Sequence, residues 1–211
     1  MAKERVVIIG ADAAGMSAAG QARKLLPGAE ITAYERSRHC SYAACGIPYY
    51  AAGLVESESQ LIARTPLQFL ERQNINVRTR CEVLSVNPGE GSLLVKDLDS
   101  GKEFADRYDK LLFATGAAPA VPPVEGADAD GIFSLSTLES GIAVRRFLDG
   151  ERPKRAAVIG GGYIGLEMAE ALSCVRGLKV TLVDKSPQVM NTFDPDMAEF
   201  MAQAIREVGT E

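Results

Sequence analysis

Three short stretches of this 211-residue chain carry residue types at spacings that suit chemistry. Gly160-Gly161-Gly162-Tyr163-Ile164-Gly165 has the spacing of a dinucleotide-binding turn. Gly160 permits a tight turn, Gly162 lets the backbone approach a pyrophosphate, and Gly165 lets a helix pack closely on its strand, while the helix N-terminus offers N–H groups to the phosphates. Asp184 stands 19 positions after Gly165, at the end of the next expected strand, where a carboxylate accepts the two ribose hydroxyls. That acid favours NADH, and Lys185 beside it leaves NADPH open. Gly10-Ala11-Asp12-Ala13-Ala14-Gly15 repeats the pattern with Asp12 in the middle position, and Glu35 follows 20 positions after Gly15. Glycines alone would also build a bare strand-to-helix turn, and the acids alone would be solvated strand ends. Their pairing at dinucleotide spacing, twice, predicts two nucleotide cofactors. Directly after the first pair comes Cys40-Ser41-Tyr42-Ala43-Ala44-Cys45-Gly46-Ile47-Pro48-Tyr49-Tyr50. A thiol there can, as thiolate, exchange electrons with a redox nucleotide and attack a disulfide sulfur.

These residues need elements to hold them. Val6-Val7-Ile8-Ile9 and Ala157-Val158-Ile159 read as short apolar strands. Each leads through its glycine turn into an Ala-rich helix, Ala13 to Leu26 and Tyr163 to Arg176, and then into a second strand, Glu30 to Glu35 and Lys179 to Asp184. That is β-α-β grammar and predicts parallel sheets. Between the units the pattern predicts a helix after Pro66 and a strand near Arg80 to Val86. A hairpin of Ser92–Leu98 and Lys102–Arg107 turned at Asp99-Ser100-Gly101 follows, then a strand from Lys110 to Ala114. Ala117 to Gly126 reads as linker, Leu135 to Leu148 and Pro195 to Val208 as helices. The expected organisation is residues 1–117 for the first nucleotide, 118–153 as linker with a helix, and 154–211 as a shortened second nucleotide domain.

Composition narrows the function classes. The chain is 46% hydrophobic and 24% charged, ordinary for a globular protein with a real core. With 23 Lys and Arg against 28 Asp and Glu the net charge is −5, the wrong sign for a nucleic-acid binder. No stretch is long and apolar enough for a membrane helix, so the expected location is cytoplasmic. Four cysteines at irregular spacing and a single histidine, His39, give no metal site and no Ser-His triad. Cys81, in an expected strand, and Cys174, in an expected helix, read as core thiols.

The Ser-Tyr-x-x-Cys-Gly-Ile-Pro-Tyr-Tyr run resembles the active-site segment of the single-cysteine branch of the pyridine nucleotide-disulfide oxidoreductases, and its Pro-Tyr-Tyr ending is most similar to the coenzyme A-disulfide reductases. Ala114-Thr115-Gly116-Ala117 and the Gly160–Glu167 run are similar to the family's flavin and NAD signatures, so the resemblance spans the chain. It implies a Rossmann-like FAD-binding domain with a small antiparallel β insertion, followed by the start of a second Rossmann-like NAD(P)-binding domain. It also implies that FAD is held by Gly10, Ala11, Asp12, Ala13, Ala14, Gly15, Glu35, Arg36, Val83, Thr115, Gly116 and Ala117. NADH, or NADPH, falls to Gly160, Gly162, Ile164, Gly165 and Asp184. Cys45 becomes the redox residue. Ser17, Gln21, Lys24 and Ser41 fall at the family's contacts to a coenzyme A disulfide or related small molecule. Two alternatives remain beside this one: an NADH oxidase or peroxidase working through a Cys45 sulfenic acid, and a non-catalytic nucleotide-binding fragment. A Cys40–Cys45 dithiol has the spacing of the family's two-cysteine branch, but Arg38-His39 and the position of Pro48 depart from that pattern. Ala44 stands where the coenzyme A-disulfide reductases commonly have Asn. The family's second FAD motif and dimerisation domain have no counterpart here, so the chain reads as the N-terminal portion of an enzyme that is a homodimer at full length.

Overall fold

Val6-Val7-Ile8-Ile9 is apolar at every position because the strand it forms is covered on both faces. In a computed structural model, which describes residues 3–211, the chain divides into two compact units: residues 3–43 with 62–118, and residues 44–61 with 119–211. The first is built on a four-stranded parallel sheet of order β3-β2-β1-β7, with β1 Arg5–Ile9, β2 Glu30–Glu35, β3 Ile75–Thr79 and β7 Lys110–Phe113. Alternation sorts its side chains. Val6, Ile8, Ile31 and Ala33 join Met16 and Ala19 of helix α1 (Ala13–Leu25) and Phe69 of helix α3 (Pro66–Gln73) in one core. Val7 and Tyr34 point the other way, onto Leu93 and Val95 of an antiparallel sheet of β4 Cys81–Asn87, β5 Ser92–Asp97 and β6 Glu103–Arg107. Each fully buried aliphatic side chain in such a core contributes about 1.5–3 kcal/mol.

The second unit opens with a one-turn 3-10 helix at Ala44–Gly46, helix α2 at Ile47–Ala52 and a 3-10 turn at Glu58–Leu61. It continues through α4 Leu138–Glu151, β8 Arg155–Ile159, α5 Tyr163–Glu170, a π turn at Ala171–Val175, β9 Lys179–Val183 and α6 Pro195–Glu207. β8 and β9 pair in parallel. Their covered face packs Val180, Ala156 and Val158 against Val144, Leu148, Met168, Ala169 and Leu172, and Ala51 of α2 joins the same core. No helix among the described residues is long and apolar enough to cross a membrane.

Several boundaries differ from the sequence reading, each for a local reason. β3 has no counterpart in it: Asn74 and Arg80, both left-handed at φ 50° and 58°, bracket the strand, and Arg80, expected to begin β4, is the break that separates the two. The alternation of buried Ile75 and Val77 was the signal available. Helix α4 begins at Leu138, not Leu135, because Thr137 and Ser140 close a capping box. The helix from Tyr163 ends as a π turn, and Cys174 within it is exposed, so it is not a core thiol. Cys81 is buried.

One side chain in the first unit closes two helices at once. Arg23 donates to the carbonyls of Pro27 and Ala29 beyond α1 at 2.9 Å each, and to those of Gln73 and Asn74 at the end of α3 at 2.9 and 2.7 Å. Lysine keeps the charge but not the planar fork. Arg23→Lys is therefore expected to lower stability by about 1–3 kcal/mol, read from urea unfolding; an unchanged midpoint would show that water replaces the fork.

Candidate functional site

The two glycine turns share one pattern of backbone hydrogen bonds. Gly10 and Gly160 adopt φ 101° and 111°, which only glycine takes without strain. Their N–H groups donate to Tyr34 O and Val183 O at 2.8 Å each, tying each turn to the neighbouring strand. The next residue is pinned through both of its backbone groups. Ala11 N–H donates to Glu35 Oε2 at 2.9 Å and Gly161 N–H to Asp184 Oδ2 at 2.5 Å. Ala11 O accepts from Ser41 N–H at 2.9 Å and Gly161 O from Met190 N–H at 2.8 Å. Ser41 and Met190 are both left-handed, at φ 49° and 47°. Each acid's second oxygen accepts the N–H two residues on, from Ser37 at 2.9 Å and Ser186 at 2.6 Å. The Gly161 N–H, with Ser186, holds the Asp184 carboxyl below the usual carboxylate range, so it is charged at neutral pH.

Space around the glycines separates structural from ligand-facing roles. A Cβ on Gly15 or Gly165 would strike the carbonyl of Gly10 or Gly160, so both are required by the approach of helix to turn. Gly160 and Gly162 face open space. Neither α1 nor α5 has a side-chain cap, so the N-terminal N–H groups of both helices are left to other acceptors. An uncapped helix start and an acid at the strand end fit a dinucleotide in both turns, and the second adds open glycines at Gly160 and Gly162.

Asp12 is the departure. It has the extended backbone of Gly162, φ −104° against −84°, and its carboxylate accepts Tyr42 N–H at 3.2 Å. Burial, with Glu35 nearby adding to it, raises its pKa, which the Tyr42 N–H opposes.

The other predicted residues fall as follows. Ala13 and Ala14 are exposed in the first turn of α1. Ser17, Gln21 and Lys24 share one exposed face of α1 at spacings of four and three. Ser41 is half-buried, its carbonyl accepting from Ala63 N–H at 2.8 Å. A Cβ on Gly10 would strike Ala114 O, which brings the segment before exposed Thr115, Gly116 and Ala117 to the first turn. Arg36 is exposed beside Glu35, and Val83 packs on the core under the antiparallel sheet. Ile164 is exposed at the start of α5. Cys45 is exposed in the one-turn helix of the second unit, whereas Cys40 is buried in the core of the first. Burial, with Glu35 and Asp12, pushes the Cys40 thiol up to about 11, which opposes its use as a redox partner. Sequence reasoning missed Ser37 and Ser186, although each lies two residues after its acid and extends the internal echo. Among the described residues no cluster of His, Cys, Asp or Glu could hold a metal ion.

The sequence matches the family described as pyridine nucleotide-disulphide oxidoreductase over residues 4–211. It is 39% identical over 206 residues to a protein of Methanocaldococcus jannaschii named NADH oxidase, covering 97% of this chain and 46% of that one. It is 36% identical over 193 residues to the coenzyme A disulfide reductase of Staphylococcus haemolyticus, covering 92% of this chain and 43% of that one. The crystal structure of reduced CoADR-RHD from Bacillus anthracis superimposes with a TM-score of 0.96 at 32% identity, covering 100% of this chain and 38% of that one. The chain thus spans about half the length, or less, of these relatives.

The second turn predicts different outcomes for its two glycines three residues apart, Gly162 and Gly165. Gly165→Ala drives a methyl into a backbone carbonyl and is expected to destabilise by about 1–3 kcal/mol or more. Gly162→Ala points into open space and is expected to cost under about 1 kcal/mol while weakening NADH binding; thermal melts and NADH titration separate the two, and equal loss of stability would refute the assignment. Asp184 gives a pH signature. Its folded pKa lies below the ordinary 3.8, so its stabilisation is complete above that value and is lost as pH falls through the lower folded one. The melting-temperature gap between the protein and Asp184→Asn should therefore close as pH falls below 3.8; a constant gap refutes it. With its two turns pinned alike, the chain belongs to the pyridine nucleotide-disulphide oxidoreductase family.

Proposed function

We propose that this chain forms the flavin- and nicotinamide-binding portions of an NAD(P)H-dependent reductase that works on a disulfide through Cys45. The observation that carries the reading is the pair of pinned turns, each with a strand-end carboxylate beside an open helix start. The first turn would hold FAD. Gly10 to Gly15 and the first N–H groups of α1 would meet its pyrophosphate, Glu35 the ribose diol, and Arg36, Val83 and Thr115 to Ala117 the rest of the group. Gly160, Gly162, Ile164 and Gly165 would hold NADH in the same way. Asp184, charged and at the strand end, suits ribose hydroxyls and repels a 2′-phosphate, which favours NADH over NADPH. Bound FAD supplies two-electron exchange between a nicotinamide and a thiol or disulfide.

Cys45 is exposed, as a thiol that must meet a bulky disulfide has to be. Its thiolate attacks one sulfur of coenzyme A disulfide. A bond forms between Sγ and that sulfur, the substrate S–S bond breaks, and the departing thiolate takes a proton as coenzyme A. Two electrons and a proton from NADH, with a second proton from solvent, would then cleave the mixed disulfide, returning the Cys45 thiol and a second coenzyme A and leaving the oxidised nicotinamide. Ser17, Gln21 and Lys24, aligned on one exposed face of α1, with Ser41, would hold the coenzyme; persulfides and polysulfides are related acceptors. The 39% identity to a protein named NADH oxidase supports a second reading, in which Cys45 cycles through a sulfenic acid with peroxide or oxygen as acceptor.

Anaerobic NADH titration of the protein reconstituted with FAD tests the reading. The visible flavin band should bleach in the protein and in Cys45→Ser, while turnover with coenzyme A disulfide is lost only in the variant. Disulfide turnover retained without Cys45 would refute its role, turnover with peroxide or oxygen in preference would select the second reading, and failure to bind FAD would leave a non-catalytic nucleotide-binding fragment.

A further inference from the structure

The segment that follows Cys45 is gripped by side chains that neither dinucleotide turn uses. Helix α2 is six residues long, too short to be stable by itself, and the backbone beyond it caps Tyr49 O and, through Gly53 N–H at 3.1 Å, Tyr50 O. Two guanidinium groups reinforce Tyr50 O and extend the capping to Ala51 O. Arg176 donates Nε and Nη2 to Ala51 O at 3.0 and 2.7 Å. Arg145 donates Nη1 to Tyr50 O at 2.6 Å and to Val55 O at 3.0 Å, and its guanidinium lies 5.1 Å from the centre of the buried Tyr50 ring. Asp149 braces both, accepting from Arg176 Nη1 at 2.6 Å and Arg145 Nε at 2.9 Å. The Arg176 hydrogen bond, with Arg145 beside it, holds the Asp149 carboxyl below the usual carboxylate range.

Sequence spacing explains why these groups meet. Gly141, Arg145 and Asp149 recur every four residues along α4 and form one stripe against α2. At the start of the stripe a Cβ on Gly141 would collide with Ile47, so the glycine lets the two helices close together where α2 begins. Arg176 reaches the same place from the other side through the π turn. Its N–H bonds back five residues to Ala171 O at 3.2 Å. The extra residue in that turn rotates the following side chain by roughly 100° relative to an uninterrupted helix.

We propose that Arg145, Asp149 and Arg176 are positioning residues for Cys45: by fixing α2 at its C-terminal end they set the approach of Sγ to the disulfide. The inference rests on the reading of Cys45 as the attacking thiol. Thiol-disulfide exchange needs the attacking sulfur, the attacked sulfur and the leaving sulfur nearly in line, so it responds to placement. Alkylation by iodoacetamide is also an in-line displacement, but that small reagent tumbles freely and aligns itself with the sulfur, whereas a bulky disulfide cannot. The three-residue turn that carries Cys45 has no length to hold itself, and the rigid element next to it is α2.

The test compares two reactions of the same thiol in the purified 211-residue protein, both read by mass spectrometry of the Cys45 peptide. One is mixed-disulfide formation with coenzyme A disulfide, the other alkylation by iodoacetamide. Arg176→Ala is expected to slow the first roughly tenfold to a hundredfold and to change the second by under about twofold. Arg176→Lys keeps a cation but cannot hold Ala51 O and Asp149 together, and is expected to fall between. Should Arg176→Ala fail to fold, Asp149→Asn, which leaves both arginines and removes their brace, is read by the same ratio. Equal slowing of both reactions, or of neither, overturns the inference and leaves the cluster a structural brace. A wild-type Cys45 that alkylates but forms no mixed disulfide overturns the reading of Cys45 and the inference with it.

Discussion

Each half of this molecule hangs on the backbone of one residue. Ala11 in the first unit and Gly161 in the second give their N–H to an acid at the end of the next strand and offer their C=O to a backbone N–H some thirty residues on. A strand-end carboxylate without that N–H would be solvated and mobile. Bound to it, the carboxylate is held beside the helix start, and the turn is held open in front of the acid. The left-handed residues Ser41 and Met190 exist to aim the second bond. Ser41, four residues before Cys45 in the sequence, is thereby fixed beside the first turn.

Asp12 shows how far the two turns have diverged on one backbone. Where the second turn leaves Gly162 open, the first places a carboxylate that turns from the helix axis to the Tyr42 N–H. The first turn therefore binds the chain leaving Ser41 through two bonds, to Ala11 O and to Asp12 Oδ1, whereas the glycine of the second has no side chain to give. A missing middle glycine weakens a fingerprint read from sequence. In the structure that residue supplies a contact between turn and segment.

What was legible followed from periodicity and from spacing. A strand covered on both faces must be apolar throughout, so β1 and the β-α-β units announced themselves, and the antiparallel insertion was marked by Asp99-Ser100-Gly101. The spacing of Gly15 to Glu35 and Gly165 to Asp184 located the turns. What was not legible depends on events that no period records. Arg80 in a left-handed conformation ends one strand just before the next begins, and Ala171–Val175 winds as a π turn within an apparently continuous helix. Arg23 and Arg176 look like surface charges in the sequence because their partners are backbone carbonyls, which have no letter.

That last class of interaction bears most directly on chemistry. A cysteine on a loop is placed only as well as its neighbours allow, and the neighbour here is a helix of under two turns. Such a helix has little cooperativity of its own and must borrow order from tertiary contacts. Apolar packing of Ile47, Ala51 and Ala52 supplies burial, but burial is non-directional and leaves a short helix free to slide along a groove. Hydrogen bonds from two rigid guanidinium forks to Tyr50, Ala51 and Val55 remove that freedom, since each fork fixes both distance and direction. Asp149 then keeps the forks from repelling one another. The arrangement spends charged groups on backbone carbonyls of an irregular segment next to an exposed thiol, where directional control of a few atoms is worth more to a sulfur displacement than further hydrophobic area would be.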